Sequence, residues 1–215
     1  MVANERLVAS DGKEVMLFPL PYMYISQGEN GQYSHQGTLN IDFVGYDANG
    51  VVLHAPMYAP CSCKCVAIWD TYNNGRVFES LDQVHCADGT LRYVTFMCYH
   101  DNNPVASVGD VFTQGDLFAH TGDAGNVTGD HTHFNTAYGT YAGFERVPPD
   151  NQSQLVNSSH IYETCYVNDT VIVEGLGYNW IDYTGPTPTP SFKRNKFPWV
   201  IYARRLRNNR MKSQF

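Results

Sequence analysis

Hydrophobic and polar positions alternate along most of this 215-residue chain with a period of two, and Gly, Pro or Asn-Gly clusters interrupt the pattern every few residues. The clearest run is 38–44. There Thr38, Asn40 and Asp42 fall on one face and Leu39, Ile41 and Phe43 on the other, which predicts a half-buried strand. Further strands are predicted at 14–20, 51–54, 59–69, 77–81 and 91–100. Turns are predicted at 47–50, at Asn73-Asn74-Gly75 and at Ala87-Asp88-Gly89. Residues 105–127 read as short strands separated by glycines, 138–157 as a loop, and 162–180 as one or two strands about a turn near Asn168-Asp169. The polar, glycine-containing stretch 27–32 reads as a surface loop at the rim of a site. The expected fold class is mainly β, an antiparallel sheet core.

A change of character near residue 185 sets a boundary. Residues 184–190 form an extended proline-rich linker, and 199–210 predict a short helix with Trp199, Tyr202, Ala203 and Leu206 on one side. The expected organisation is therefore a domain over 1–185 and a linker with a basic tail over 186–215. The tail carries eight Lys and Arg and no acid. The other 185 residues hold six basic and 21 acidic side chains, a net charge of −15 hidden inside the overall −7. Such an acidic body argues against nucleic acid as its ligand, while the tail suits an acidic partner or polyanion.

Six cysteines are too few to build a disulfide scaffold at this length. On a strand, Cys61, Cys63 and Cys65 would share a face, as buried thiols or as a second metal or disulfide site. The first residues lack the basic start and apolar core of a signal peptide. The apolar run 16–25 is broken by Pro19 and Pro21 and is too short to span a bilayer. Asn-x-Ser/Thr sequons such as those at Asn126, Asn157 and Asn168 read as chance in that context.

The chemistry gathers around Gly129-Asp130-His131-Thr132-His133-Phe134. If this segment is extended, His131 and His133 project from one face, as two metal ligands or as a ligand and a proton-transfer partner. A turn at Gly37 would bring His35 beside Asp42. With His133 these would supply two imidazoles and a carboxylate, a set zinc takes when a fourth position is left to water. His100 and His131 would then be available as a base and as a donor to the transition state.

Those residues and their order resemble the LytM/lysostaphin-type zinc metallopeptidases, which cleave peptide bonds of bacterial peptidoglycan. The resemblance runs from about Gln27 to Trp180. It is carried by Ser34-His35-Gln36-Gly37 with Asp42-Phe43, Ala59-Pro60-Cys61, His100-Asp101-Asn102-Asn103, the Gly109-Asp110 and Gly115-Asp116 pairs, and 122–134. The resemblance implies His35, Asp42 and His133 as zinc ligands, and His131 and His100 as the histidines that activate water and stabilise the tetrahedral intermediate. It also implies a barrel-sandwich-like β fold with a narrow groove. Two departures stand out. Six residues separate His35 from Asp42 where three are usual, with Asn40 nearby. Asp130 precedes the His-x-His where an uncharged residue is common, and beside two histidines it should favour their protonated forms. His54, His85, His120 and His160 match no motif position, and Tyr24 and Tyr33 are candidates to reach the groove.

The expected function is a zinc-dependent peptidoglycan endopeptidase, and the lack of an export signal points to a phage lysin, virion-associated or released at lysis. The basic tail would meet phage tail proteins or anionic wall polymer. The alternative is a catalytically inactive wall-binding or tail structural protein.

Overall fold

The computed structural model describes residues 1, 3–69, 71–149, 152–166, 172–175 and 189–190. Ten strands form one sheet, whose central path runs in the order Val111–Phe112, Cys63–Trp69, Gly75–Ser80, Val94–Cys98, Thr132–Tyr138, Ile41–Asp47, Tyr22–Gln27, Ile172–Gly175. Every pairing on that path is antiparallel except the last, in which Ile172–Gly175 runs parallel to Tyr22–Gln27. The fold is mainly β, as the alternating pattern predicts.

The two faces of this sheet bury different things. One carries the main core, where Phe43, Phe78, Phe96, Phe118 and Phe134 pack with Met23, Ile25 and Ile41. Phe78 stacks on Phe96 with ring centroids 5.3 Å apart, and Phe118 meets Phe78 edge-on at 5.0 Å. The two-stranded pair Pro56–Tyr58 and Leu117–His120 closes this side through Met57, Phe118 and Ala119. On the opposite face a smaller cluster of Val77, Met97, Tyr99, Ala137 and Leu155 covers only part of the sheet. The uncovered part is where the groove lies.

Several expectations change. Residues 14–20 make only isolated bridges, Glu14 with Val8, Val15 with His85 and Leu17 with Tyr166. Their near-continuous apolar run is buried as core-filling coil bounded by prolines, and the first strand of the large sheet is instead Tyr22–Gln27. Residues 138–157 are not a plain loop: Phe144–Val147 and Gln152–Leu155 pair as a hairpin, seated by a stack of Phe144 on Trp69 at 4.4 Å. Residues 38–40 precede the strand Ile41–Asp47, and Thr38 and Asn40, expected to face outward, are fully buried. The same hairpin covers them, with Asn40 Nδ2 donating to the Ser153 carbonyl at 3.1 Å.

The six cysteines are all buried and free, so the disulfide alternative is not realised. Part of 162–180 is helical, with the short helix Ile161–Thr164 preceding Ile172–Gly175. Thr189–Pro190, within the expected linker, pairs with Leu7–Val8. The expected helix at 199–210 and most of the tail lie outside the described residues. Among the described residues no helix is long and apolar enough to cross a membrane.

Candidate metal centre and groove

Asp42 and His133 stand directly opposite each other on neighbouring strands, Ile41–Asp47 and Thr132–Tyr138. Period-two alternation sends Ile41, Phe43 and Phe134 into the core, so Asp42 and His133 emerge together on the other face. His35 arrives from the loop before, and Gly37, at φ +76°, makes the left-handed turn that folds it back over Asp42. The result is a triangle of nearly equal sides. His35 Nε2 lies 3.2 Å from His133 Nδ1, His133 Nδ1 lies 3.1 Å from Asp42 Oδ1, and His35 Nε2 lies 3.3 Å from the same oxygen.

Hydrogen bonds alone do not satisfy this triangle. His35 Nδ1 is 3.2 Å from the Gly28 carbonyl, which can only accept, so the ring proton of neutral His35 sits on Nδ1 and Nε2 is a bare lone pair. That lone pair and the Asp42 carboxylate oxygen face each other as two acceptors. His133 Nδ1–H can serve only one of them at full strength. A cation at the centre resolves the conflict. Ligands at zinc distances on tetrahedral corners lie about 3.3–3.5 Å apart, close to the separations seen here. The donor set and its spacing fit zinc, and among the described residues this is the one such group of His, Cys, Asp and Glu.

Electrostatics follows from burial set against pairing. Burial by itself would raise the Asp42 carboxyl, but the hydrogen bond and charge of His133, and those of His35 when it is protonated, overturn that and hold it well below the usual carboxylate range. The His133 imidazole is pushed down, first by burial, although Asp42 pulls the other way.

His131 and His100 border the triangle. His131 Nε2 is 3.9 Å from Asp42 Oδ1, and the His131 and His100 rings lie 4.7 Å apart. His131 Nδ1 donates to the Gly129 carbonyl at 2.8 Å and His100 Nδ1 to the Ala124 carbonyl at 2.8 Å. Both rings therefore carry the Nδ1 proton when neutral, leaving Nε2 as a lone pair. Burial lowers the His100 pKa to about 4 against the opposing hydrogen bond to Ala124, and His131 and His133 add to the lowering. His100 also adopts a left-handed backbone at φ +79°. Gly122 joins these two histidines: it pairs with His131 through both backbone bonds and abuts the His100 carbonyl, where a Cβ would stand 2.1 Å away.

The triangle opens into a groove of about 1130 Å³, walled by the 27–34 loop, the 126–130 loop and the hairpin through Arg146 and Ser153. Tyr33 lines it and is 81% exposed, whereas Tyr24 packs on Tyr46 with ring centroids 5.7 Å apart. Tyr99 stacks on His133 at 5.3 Å and limits how that ring can turn.

Asp130 makes its hydrogen bonds to residues other than the two histidines. Its carboxylate accepts from Thr121 Oγ1 at 2.6 Å and from His54 N at 2.9 Å, with His54 Nδ1 3.1 Å away, so it ties two loops together. The remaining histidines have carboxylates of their own: His85 with Asp11 at 2.8 Å, His120 with Asp101 at 3.4 Å and His160 with Glu29 at 2.6 Å. Sequence reasoning missed Gln27, whose amide reaches Asp42 from a stretch read as loop. The signal available for it was only the clustering of polar residues before His35.

No family model matches the chain. Among solved structures it is similar to a zinc containing peptidase from Vibrio cholerae, at 17% identity over 74% of this chain and 45% of that one, with a TM-score of 0.41. It is also similar to the catalytic domain of the antimicrobial peptidase lysostaphin from Staphylococcus simulans, at 19% identity over 60% and 84% of the two chains, with a TM-score of 0.39. In sequence it is similar to Morphogenesis protein 1 of Bacillus phage B103, at 42% identity over 174 residues, or 80% of this chain. That match spans 45% of the phage protein, less than half its length.

Proposed function

We propose that this chain is a zinc-dependent endopeptidase of the LytM/lysostaphin type that hydrolyses peptide bonds of bacterial peptidoglycan in a phage context. The observation that carries the proposal is the triangle of His35 Nε2, Asp42 Oδ1 and His133 Nδ1 at the floor of an open groove, with His131 Nε2 beside it. His35, Asp42 and His133 would hold the metal. Zinc bound there supplies Lewis acidity, polarising a carbonyl and bringing the pKa of water toward about 7.

The chain's own residues do the rest. His131, with Nδ1–H fixed on Gly129, presents Nε2 as an acceptor for the proton released as water attacks, and returns it to the leaving amine. His100 is neutral in the groove because burial holds its pKa down to about 4. Negative charge growing on the substrate oxygen favours uptake of a proton from bulk water at Nε2 through the open groove, which turns His100 into a charged donor where that charge develops. The groove walls, including Arg146 and Ser153, orient the peptide.

The phage relative is named a morphogenesis protein, which favours a role in building the virion over release at lysis. The 1–185 domain would perform the cleavage, and the basic 186–215 tail would contact tail proteins or anionic wall polymer. The alternative, an inactive wall-binding or structural protein, predicts no hydrolysis. The test incubates purified protein with isolated cell walls from several bacteria and identifies products by mass spectrometry. New amino and carboxyl termini formed by wild type and not by His133→Ala support the enzyme. Intact walls together with sub-stoichiometric zinc would discard it.

A further inference from the structure

The strand Tyr22–Gln27 ends in an irregularity that faces the metal triangle. Pairing runs regularly through Ile25 and Phe43, and then Gln27, not Ser26, takes the place opposite Asp42. The extra residue is a β-bulge, a device that re-aims the side chain following it. Without the bulge Gln27 would share the core-facing side of Ile25. With it, the Gln27 side chain lies in the groove wall, and the residue is 9% exposed.

Its amide is fully engaged and can be oriented in one way only. Oε1 accepts the Ser34 backbone N–H at 3.0 Å, which directs the amide nitrogen to the other side. Nε2 then donates to Ser34 Oγ at 2.8 Å and to Asp42 Oδ2 at 2.9 Å. Asp42 therefore has its two oxygens separated by role: Oδ2 is held by Gln27, and Oδ1 belongs to the triangle. Through Ser34 the same amide grips the residue next to His35, while the neighbouring Gly28 carbonyl fixes the His35 ring. Gly31 makes room for the arrangement, since a Cβ there would stand 2.5 Å from Gln27 Cγ and push the amide off Asp42.

We infer that Gln27 is a positioning residue for the metal centre, which holds Asp42 so that one carboxylate oxygen is offered to the cation, and couples the placement of Asp42 to that of His35. This rests on the zinc reading above. An outer partner that orients a ligand typically changes metal affinity about 10- to 100-fold when removed.

The test compares wild type with Gln27→Met, which keeps the length and removes the donor, and with Ser34→Ala, which removes one anchor of the amide. Zinc affinity is read by competition with a chromogenic chelator, and apo-protein thermal unfolding is read in parallel. The expected result is a 10- to 100-fold weaker zinc affinity in Gln27→Met. A smaller loss is expected in Ser34→Ala, with apo melting temperatures close to wild type in both. Unchanged affinity in both variants overturns the inference, as does a loss that only tracks a fall in apo stability. If Gln27→Met does not fold, Ser34→Ala decides alone. A wild type that binds no zinc would instead discard the metal reading, a result distinct from either outcome for Gln27.

Discussion

Gly122 touches the carbonyl oxygen of His100 so closely that a methyl group at position 122 would stand 2.1 Å from it. The same glycine pairs backbone to backbone with His131. Gly122→Ala is therefore expected to push the two histidines apart. Activity should fall by about 100-fold, and the strain should cost about 1–3 kcal/mol of stability. Zinc binding should change little, because His35, Asp42 and His133 do not lean on this contact. Kinetics on muropeptides beside a zinc titration would check the split.

Removing a corner of the triangle should remove the metal. Asp42→Ala and His133→Ala are each expected to purify without stoichiometric zinc by elemental analysis. In wild type, free zinc at about 100 times its dissociation constant should stabilise the fold by about 2.7 kcal/mol. That gain should vanish in both variants. A zinc-dependent rise in melting temperature that survives Asp42→Ala would contradict the assignment.

His100→Asn should separate chemistry from folding. Asparagine tolerates the left-handed backbone at φ +79° better than most residues, so the protein should remain folded. It cannot take up a proton, and turnover should drop by about 10²–10⁴-fold if His100 acts in the transition state. Near-native activity would remove His100 from the mechanism.

The lowered His100 pKa also has a thermodynamic signature. With a folded value of about 4 and an unfolded value of about 6.5, the unfolded chain binds more protons between those limits. Stability is then complete above the unfolded value and falls as pH drops toward the folded one, by at most about 3 kcal/mol. Urea unfolding of the apo protein at pH 8, 6 and 4.5 should show this loss, and His100→Asn should show less of it.

Thiol chemistry should be silent in the native state. Burial pushes the Cys86 thiol up to about 12 and raises the other five as well. Native protein at pH 8 should resist alkylation over hours, and denatured protein should take up six labels, one for each cysteine in the sequence.

The sequence made some of this legible. Alternation at 41–43 correctly separates the core-facing Ile41 and Phe43 from Asp42, because one face of that strand meets a packed core. The bend that lets His35 approach Asp42 could be anticipated from Gly37. The set His35, Asp42 and His133 depended more on the family resemblance than on spacing, since cross-strand neighbours 91 residues apart leave no local trace. What could not be read were features decided by distant contacts. Glu145, Arg146, Gln152 and Ser153 show no strand-like alternation, and their hairpin is held by Phe144 on Trp69 and by Leu155 in the second core. Asp130 looked like a modulator of its neighbours, but Thr121 and His54 claim it. The bulge falls at Ser26 and Gln27, neither of which is itself a glycine, and the alternation alone does not mark it.

The ring protons of His35, His100 and His131 all rest on main-chain carbonyls, those of Gly28, Ala124 and Gly129. Every amino acid carries such an oxygen. The three loops can therefore change their side chains, and with them the substrates they admit, while the protonation pattern of the centre is inherited intact from the path of the backbone.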